Sequence, residues 1–178
     1  VFIDGAPDRM ALREGWRKLL PHAVADPLNT QSWKGGRGHA VSALEMPDAP
    51  LQPGWSAPAQ EWSPAHLMQW RSPRLGNSRR VWVFTTGEDD PPDRPLVVLL
   101  DGQFWAESMP VWAALTALTR DGQLPAAVYV LIDVIDTAHR SVELQCNPDF
   151  WLAVQEELLP QAYAVAPFSN HAEKTVVA

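Results

Sequence analysis

The second half of the chain alternates between continuous apolar runs and helical patterns, and this alternation most constrains its fold. Residues 95–100 and 127–132 are apolar runs, which is typical of parallel strands buried on both faces of a sheet. A helical pattern follows each run, and residues 174–178 add a last strand. This order predicts an α/β domain with a mostly parallel sheet, flanking helices and right-handed crossovers. Ligands of such sheets bind beyond the carboxyl ends of the strands, so the loops after residues 100 and 132 are candidate sites.

Local signals predict the bounds of the neighbouring elements. The β-branched and aromatic stretch 79–86 predicts another strand. Ser108 is predicted to cap one helix, which ends before Gly122, and Asn147 to cap a second helix, which ends at Pro160. The residues expected to be buried on these helices recur at helical spacing: Val111, Trp112, Leu115, Leu118 and Thr119 on the first, and Phe150, Trp151, Val154 and Leu158 on the second.

The first third of the chain has a different texture. Residues 8–20 carry apolar side chains at helical spacing and predict a short amphipathic helix that stops at Pro21. From residue 25 to residue 73, repeated prolines exclude a long helix or a central strand. We interpret this stretch as an extended arm packed over a neighbouring domain, because a free linker would be polar and this one contains Trp33, Trp55, Trp62 and Trp70.

Composition excludes several classes of function. The formal net charge of −7 argues against a nucleic-acid-binding protein, and no apolar run has the length of a membrane span, so neither partner is expected. The single cysteine, Cys146, permits no intramolecular disulfide and is expected to be a buried small side chain. No metal or other cofactor is expected, because the histidines are scattered: residues 22, 39, 66, 139 and 171.

The loop after residue 100 reads Asp101-Gly102-Gln103-Phe104-Trp105. A glycine at the end of a buried strand lets the backbone approach a ligand and direct an N–H group outward, although a tight strand-to-helix turn would also need it. An aspartate in this position is also found in phosphoryl-transfer enzymes with an aspartate nucleophile. Those enzymes need a second aspartate two residues later, where this chain has Gln103, so we set that function aside.

Two further polar stretches are candidate sites. In the loop after residue 132, Arg140 and Glu143 are expected to pair, either as a pre-oriented clamp for an anion or as a salt bridge that braces the loop. In the first third, Lys34, Arg37 and His39 lie among glycines. They could form an anion-binding loop, but the spacing is not that of a phosphate-binding loop, and a surface turn is favoured.

Three strings of residues carry a family resemblance. Residues 33–47 read WKGGRGHAVSALEMP, residues 99–112 read LLDGQFWAESMPVW, and residues 149–160 read DFWLAVQEELLP. Together they closely resemble the enterochelin (enterobactin) esterases of enteric bacteria, over essentially the whole chain. Those enzymes are cytoplasmic and hydrolyse the trilactone of a ferric catecholate siderophore so that iron is released.

The resemblance implies an esterase D-like α/β-hydrolase fold behind an N-terminal domain. Residues 1–69 would be the end of that domain and the interdomain arm, and residues 70–178 the first part of the catalytic domain. In the family, the strand at Thr175–Ala178 leads into a G-x-S-x-G turn that presents the nucleophilic serine. The chain contains no such motif and no counterpart of the catalytic histidine. We therefore expect an internal piece of a longer protein, inactive by itself.

The resemblance also assigns residue roles. Gly102 matches the family's oxyanion-hole donor through its backbone N–H, and Arg140 matches a rim arginine that faces the anionic substrate. The predicted substrate-binding residues are Arg140, Glu143, Gln103, Trp105, Lys34, Arg37 and His39; the last three are chosen for charge alone. The alternative function is a non-catalytic module that binds a siderophore or another aromatic ligand through its tryptophans.

Overall fold

The computed structural model describes residues 15–16, 18–19, 22, 24, 26–34, 40–50, 52, 54–55, 65–87 and 93–178. The chain divides into two compact units, Val1–Asp48 and Ala49–Ala178. In the first unit, β1 (Ser32–Lys34) pairs antiparallel with β2 (Ala40–Ser42). The described residues of the predicted helix 8–20 are helical, and its other residues lie outside the described part of the chain.

The second unit is built on a mixed five-stranded sheet. Its strands are β3 (His66–Ser72), β4 (Asn77–Thr85), β5 (Leu96–Leu99), β6 (Val128–Ile132) and β7 (Thr175–Val177), in the order β3-β4-β6-β5-β7. Strand β4 pairs antiparallel with both β3 and β6, whereas β5 pairs parallel with β6 and β7. Within the described sheet, β4 alone therefore runs against the other strands. The predicted strands at 79–86, 95–100, 127–132 and 174–178 are confirmed.

Each face of this sheet carries its own apolar core. On one face, alternate residues of β4, β5 and β6 pack against the helices of residues 148–165, with Phe150, Leu158 and Trp70 fully buried. On the other face, Trp82 and Leu131 pack with Trp112 and its neighbours. All five residues of β6 are buried, because this central strand is covered on both faces.

Helices follow the parallel strands as predicted, with differences at their ends. A π-helical turn (Phe104–Ser108) precedes α1 (Trp112–Arg120). Ser108 closes that turn and does not cap a helix, so the predicted cap is wrong; α1 begins after Val111 with no side-chain cap. The predicted cap at Asn147 is confirmed, because its side chain accepts hydrogen bonds from the N–H groups of Asp149 and Phe150.

The second predicted helix continues past Pro160. It consists of α3 (Pro148–Ala153), a π-helical turn (Val154–Leu158) and α4 (Leu159–Val165). A new α-helical segment starts after the π turn, and Pro160 lies in its first turn, where its missing N–H has no required partner. The expected stop at Pro160 is therefore wrong. A further helix, α2 (Thr137–Glu143), lies between α1 and α3 in the chain. None of the helices in the described ranges is long and apolar enough to cross a membrane.

The sequence missed both β3 and α2. Strand β3 lies at the edge of the sheet and exposes most of its residues, so it lacks the apolar run that marks a buried strand. The predicted domain boundary between residues 69 and 70 falls inside this strand, and where the domains divide stays a prediction. Helix α2 is short, and it is capped by Asp136, whose side chain accepts the His139 N–H. Cys146, which follows it, is exposed, so its predicted burial is wrong.

A buried ion pair joins β4 to α2. Arg79, on β4, is 2% exposed, and its Nη2 atom forms an ion pair with Oε2 of the Glu143 carboxylate, 2.6 Å away. Its guanidinium also lies over the rings of Trp70 and Phe150, at 5.5 and 5.7 Å from their centroids. Asn77 donates its amide to Glu143 at 2.7 Å and accepts from Arg79 at 2.8 Å, so both charges have polar partners. Such a pair fixes the position of the helix that carries Glu143.

We predict that Glu143→Ala lowers the free energy of unfolding by about 3–5 kcal/mol, because it leaves the Arg79 charge buried without a counter-ion. Urea unfolding measures the loss. The matched control is Glu156→Ala, which removes an exposed partner of Arg74 and should cost only about 0–1 kcal/mol. Replacing both members of the buried pair, as Arg79→Met with Glu143→Leu, should cost less than Glu143→Ala alone. Equal losses in Glu143→Ala and Glu156→Ala would contradict the prediction.

Candidate active site

The carboxyl ends of β5, β6 and β7 form one rim of the sheet. Leu99 of β5 lies beside Leu131 of β6, so the loops that follow the two strands leave the sheet side by side. On the other side of β5, the Leu100 N–H donates to the Ala178 carbonyl at 2.7 Å. The rim therefore places the end of β7 next to the loop that begins at Asp101. This is the arrangement that the alternation of strands and helices predicts for a site.

Gly102 lies where two backbones almost touch. A Cβ atom at this position would lie 2.5 Å from the Ile132 nitrogen and 2.6 Å from the Leu131 carbonyl carbon, which is closer than any side chain tolerates. Asp101, just before it, has a φ of 55°, in the left-handed region that few non-glycine residues adopt. Gly102 begins a helical turn, so its N–H has no acceptor within that turn. The glycine is needed for close packing, whatever else its N–H does.

The sequence led us to expect that Arg140 pairs with Glu143, but it does not. It donates Nε and Nη2 to the two carboxylate oxygens of Asp101, at 2.7 and 2.8 Å. Glu143, three residues later, is 5% exposed and belongs to the buried pair with Arg79, so the expected partner was wrong. The hydrogen bonds and the charge of Asp101 raise the pKa of Arg140 above its ordinary value. The bidentate bond joins α2 to the loop that contains Gly102.

Gln103 and Trp105 lie on the same segment as Gly102. The Gln103 Oε1 atom accepts the Val134 N–H at 3.3 Å, which ties this segment to the loop after β6. Trp105 is partly buried beside the core around Trp112 and meets the Phe104 ring edge-on, with centroids 4.8 Å apart. Both side chains are thus engaged within the protein, and their predicted contact with substrate stays a prediction.

The sequence reasoning missed a second arginine at the rim. Arg80, on β4, donates Nε to Asp133 at 2.8 Å and Nη1 to Glu107 at 2.5 Å, and its guanidinium lies 4.9 Å from the centroid of the Trp82 ring. Burial lowers the pKa of Arg80, but the hydrogen bonds and charges of Asp133 and Glu107 outweigh it, and the net shift is upward. Arg80 lies on an antiparallel strand, next to the carboxyl end of β6, a placement that only the strand register reveals.

The remaining predicted residues are placed only in part. Lys34 contributes a backbone position to β1, whereas Arg37 and His39 lie outside the described residues. His139 donates its N–H to Asp136, and its Nδ1 atom lies 2.9 Å from the same carboxylate oxygen. These bonds hold the pKa of Asp136 below its ordinary value. Among the residues that the structure describes, no three His, Cys, Asp or Glu side chains are grouped as metal ligands.

We predict that Gly102→Ala lowers the free energy of unfolding by about 2–3 kcal/mol, because the added methyl group forces the loop away from β6. The control is Gly122→Ala, which has open space around it but a φ of 71°, and should cost about 1 kcal/mol in backbone strain. Urea unfolding of both variants provides the comparison. A Gly102→Ala variant as stable as the unsubstituted protein would show that the close contact with β6 is relieved without cost.

Comparison with known proteins identifies the family. Residues 2–55 match the family model described as enterochelin esterase, N-terminal. The whole chain is 69% identical to an iron(III) enterobactin esterase of Escherichia coli O6:H1 and 67% identical to that of E. coli K12. In both cases the chain spans 44% of the length of the relative. An iron(III) enterobactin esterase of Dickeya dadantii is 49% identical over 173 residues, which cover 93% of this chain and 39% of that relative.

Solved structures show the same relationship. A crystal structure of the ferric enterobactin esterase of Salmonella typhimurium is 69% identical, with a TM-score of 0.83, over 98% of this chain and 45% of that one. The enterobactin esterase of Shigella flexneri, crystallised in the presence of enterobactin, is 68% identical, with a TM-score of 0.81, over 96% of this chain and 44% of that one. A ferulic acid esterase of Anaeromyces mucronatus, 18% identical with a TM-score of 0.51, shares the fold alone, over 72% of this chain and 53% of that one. The strings, the sheet and the relatives agree: the chain belongs to the enterochelin (enterobactin) esterase family.

Proposed function

We propose that residues 1–178 form part of a serine esterase that hydrolyses the ester bonds of ferric enterobactin. The observation that carries the proposal is the rim, where Gly102 is packed against β6 beside the end of β7. In acyl transfer, a serine attacks the ester carbonyl, a histidine moves its proton, and N–H donors stabilise the oxyanion that forms. The serine and histidine would come from residues other than these 178, which contain no G-x-S-x-G motif.

Gly102 is suited to be one of the oxyanion donors. Its N–H has no acceptor in the helical turn that it begins, and its position is fixed by the backbone of β6. A donor that is fixed before the reaction stabilises the transition state without rearranging, and one such donor contributes about 3–4 kcal/mol in known enzymes. Gly102 is therefore a catalytic residue in this proposal, acting through its main chain.

Arg140 is suited to contact the anionic part of the substrate. Its side chain is 51% exposed, and the bond to Asp101 uses Nε and Nη2 only. Among the described residues, Nη1 has no hydrogen-bond partner and remains available to a catecholate oxygen. The Shigella flexneri enterobactin esterase was crystallised in the presence of enterobactin and in the presence of 2,3-dihydroxy-N-benzoyl-serine, whose adjacent hydroxyl groups form a catechol. The roles of Lys34, Arg37 and His39 rest on charge alone and stay predictions.

The alternative, a non-catalytic binding module, has weaker support. Of the tryptophans of the arm, which were to bind the aromatic ligand, Trp70 is fully buried in a core of the sheet. Trp55 is 39% exposed, and it follows Gly54, where a Cβ would lie 2.5 Å from the Ala114 Cα atom. The packing of the remaining arm stays a prediction, as do a cytoplasmic location and the absence of nucleic-acid and membrane partners.

A chimera separates the two functions. Residues 1–178 replace the aligned segment of the E. coli K12 relative, which is 67% identical, and the product is tested with ferric enterobactin. We expect hydrolysis that a fluorophosphonate blocks, because these residues supply the rim to a serine elsewhere in the polypeptide. A folded chimera that binds ferric enterobactin without hydrolysing it would support the binding module instead.

The 178-residue polypeptide alone should not hydrolyse esters, since it has neither a G-x-S-x-G motif nor a counterpart of the family's catalytic histidine. The measurement is release of product from ferric enterobactin and from p-nitrophenyl butyrate, with the chimera as the positive control. Turnover that a fluorophosphonate blocks would contradict the prediction and place a nucleophile within these residues.

Within the chimera, Arg140→Ala should weaken hydrolysis of the charged siderophore far more than that of p-nitrophenyl butyrate. Loss of the guanidinium removes a charge-assisted contact to the catecholate, and about tenfold in KM is expected from such a contact. The neutral ester has no anionic group for Arg140 to bind. Equal losses on the two substrates would instead identify Arg140 as a brace for the Asp101 loop.

A further inference from the structure

We infer that Arg80 is a positioning residue for the oxyanion donor: it holds Glu107, and through Glu107 it fixes the segment that begins at Gly102. The inference rests on the proposed function. The family resemblance assigns no role to Arg80 or Glu107. What points to them is a pair of ties between β4, the end of β6 and the π-helical turn after β5.

The first step is the placement of Arg80 at the rim. Because β4 runs against β6, its early residues lie beside the carboxyl end of β6, and the Asp133 N–H donates to the Arg80 carbonyl at 3.1 Å. The Arg80 side chain points to the same face as Trp82, over whose ring its guanidinium lies. A cation on an antiparallel strand is thus brought to the edge where the parallel strands end.

The second step is the orientation of the guanidinium. Asp133 is buried, with its side chain 9% exposed, and it also accepts the Ile135 N–H at 2.9 Å. It therefore occupies a fixed position and holds the Nε edge of Arg80. The Trp82 ring limits rotation of the guanidinium plane. These two contacts leave Nη1 directed at the Glu107 carboxylate, 2.5 Å away.

The third step is the segment that Glu107 belongs to. Gly102 is followed by the π-helical turn Phe104–Ser108, which closes with the Met109 N–H donating to the Phe104 carbonyl at 2.8 Å. Gly102 is held at one end of this segment by β6, and Glu107 is held at the other by Arg80. Single π-helical turns are rare overall and are frequent at functional sites, and the contact from Arg80 ties this one to β4.

The last step separates positioning from stability. The pair is largely exposed, with Arg80 40% and Glu107 51% accessible, and exposed ion pairs contribute little to the free energy of unfolding. Its loss should therefore leave stability nearly unchanged. A displaced donor N–H, in contrast, reduces the rate of the chemical step for every ester, because the oxyanion forms whether or not the substrate is charged.

The test compares Glu107→Ala with Glu156→Ala in the chimera. Glu156 is a matched control, because it also lies in a π-helical turn and pairs with an arginine, Arg74, at 2.5 Å, with exposures of 34% and 57%. We expect Glu107→Ala to lower kcat about tenfold on both ferric enterobactin and p-nitrophenyl butyrate, with KM unchanged. Glu107→Gln, whose amide oxygen can still accept from Arg80, should recover most of the loss. Glu156→Ala should leave both constants within about twofold of the unsubstituted chimera.

A second measurement reports on the segment itself. Amide hydrogen exchange should rise at residues 102–109 in Glu107→Ala and not in Glu156→Ala, while β5 and β6 stay protected in both. Equal kcat in the two alanine variants would overturn the inference. A change in the KM of Glu107→Ala that is confined to ferric enterobactin would also overturn it, since that would indicate that the Arg80–Glu107 pair binds the substrate. A chimera with no turnover before any substitution would instead overturn the proposed function, so the two failures are distinguishable.

Discussion

The close approach of Gly102 to the backbone of β6 is the constraint on which the rim depends. The parallel register of β5 and β6 brings the backbone at residue 102 against that of β6. A Cβ atom at residue 102 would lie only 2.5 Å from the Ile132 nitrogen. Only glycine permits that distance. The contact fixes the height of the loop over the sheet and starts a helical turn at Gly102, whose N–H is left without an acceptor in the turn. The polar ties of the neighbouring residues act on a loop that this packing has already placed.

Those ties follow one pattern, in which carboxylates at the rim are held by arginines. Arg140 binds Asp101, and Arg80 binds both Asp133 and Glu107. Just below the rim, Arg79 binds Glu143. In a chain with a net charge of −7, unpaired carboxylates here would repel an anionic substrate. Pairing removes most of that repulsion locally. It also means that the arginines are oriented before any ligand arrives, which suits both anion binding and the positioning of backbone donors.

The sequence predicted the buried strands well and the ion pairs poorly, for a physical reason. A strand covered on both faces, such as β6, must be apolar throughout, so its own residues reveal it. An edge strand such as β3 exposes most of its residues and has no comparable signature. The partner of Arg140 could not be predicted from local spacing, because Glu143 is nearer in sequence but points into the interior, whereas Asp101 is 39 residues away and meets it across the rim. Likewise Arg80 is marked only by the antiparallel register of β4.

The two adjacent arginines of β4 show how one short stretch supports both halves of the rim. Successive side chains of a strand point to opposite faces, so Arg79 and Arg80 leave β4 on different sides of the sheet. Arg79 goes to the face covered by α3 and binds Glu143, on the helix that carries Arg140. Arg80 goes to the other face and binds Glu107, on the turn that follows Gly102. The candidate anion-binding residue, Arg140, and the candidate oxyanion donor, Gly102, therefore both belong to segments that are held by β4. A shift of β4 along β6 would move Arg79 and Arg80, and with them the contacts to both segments.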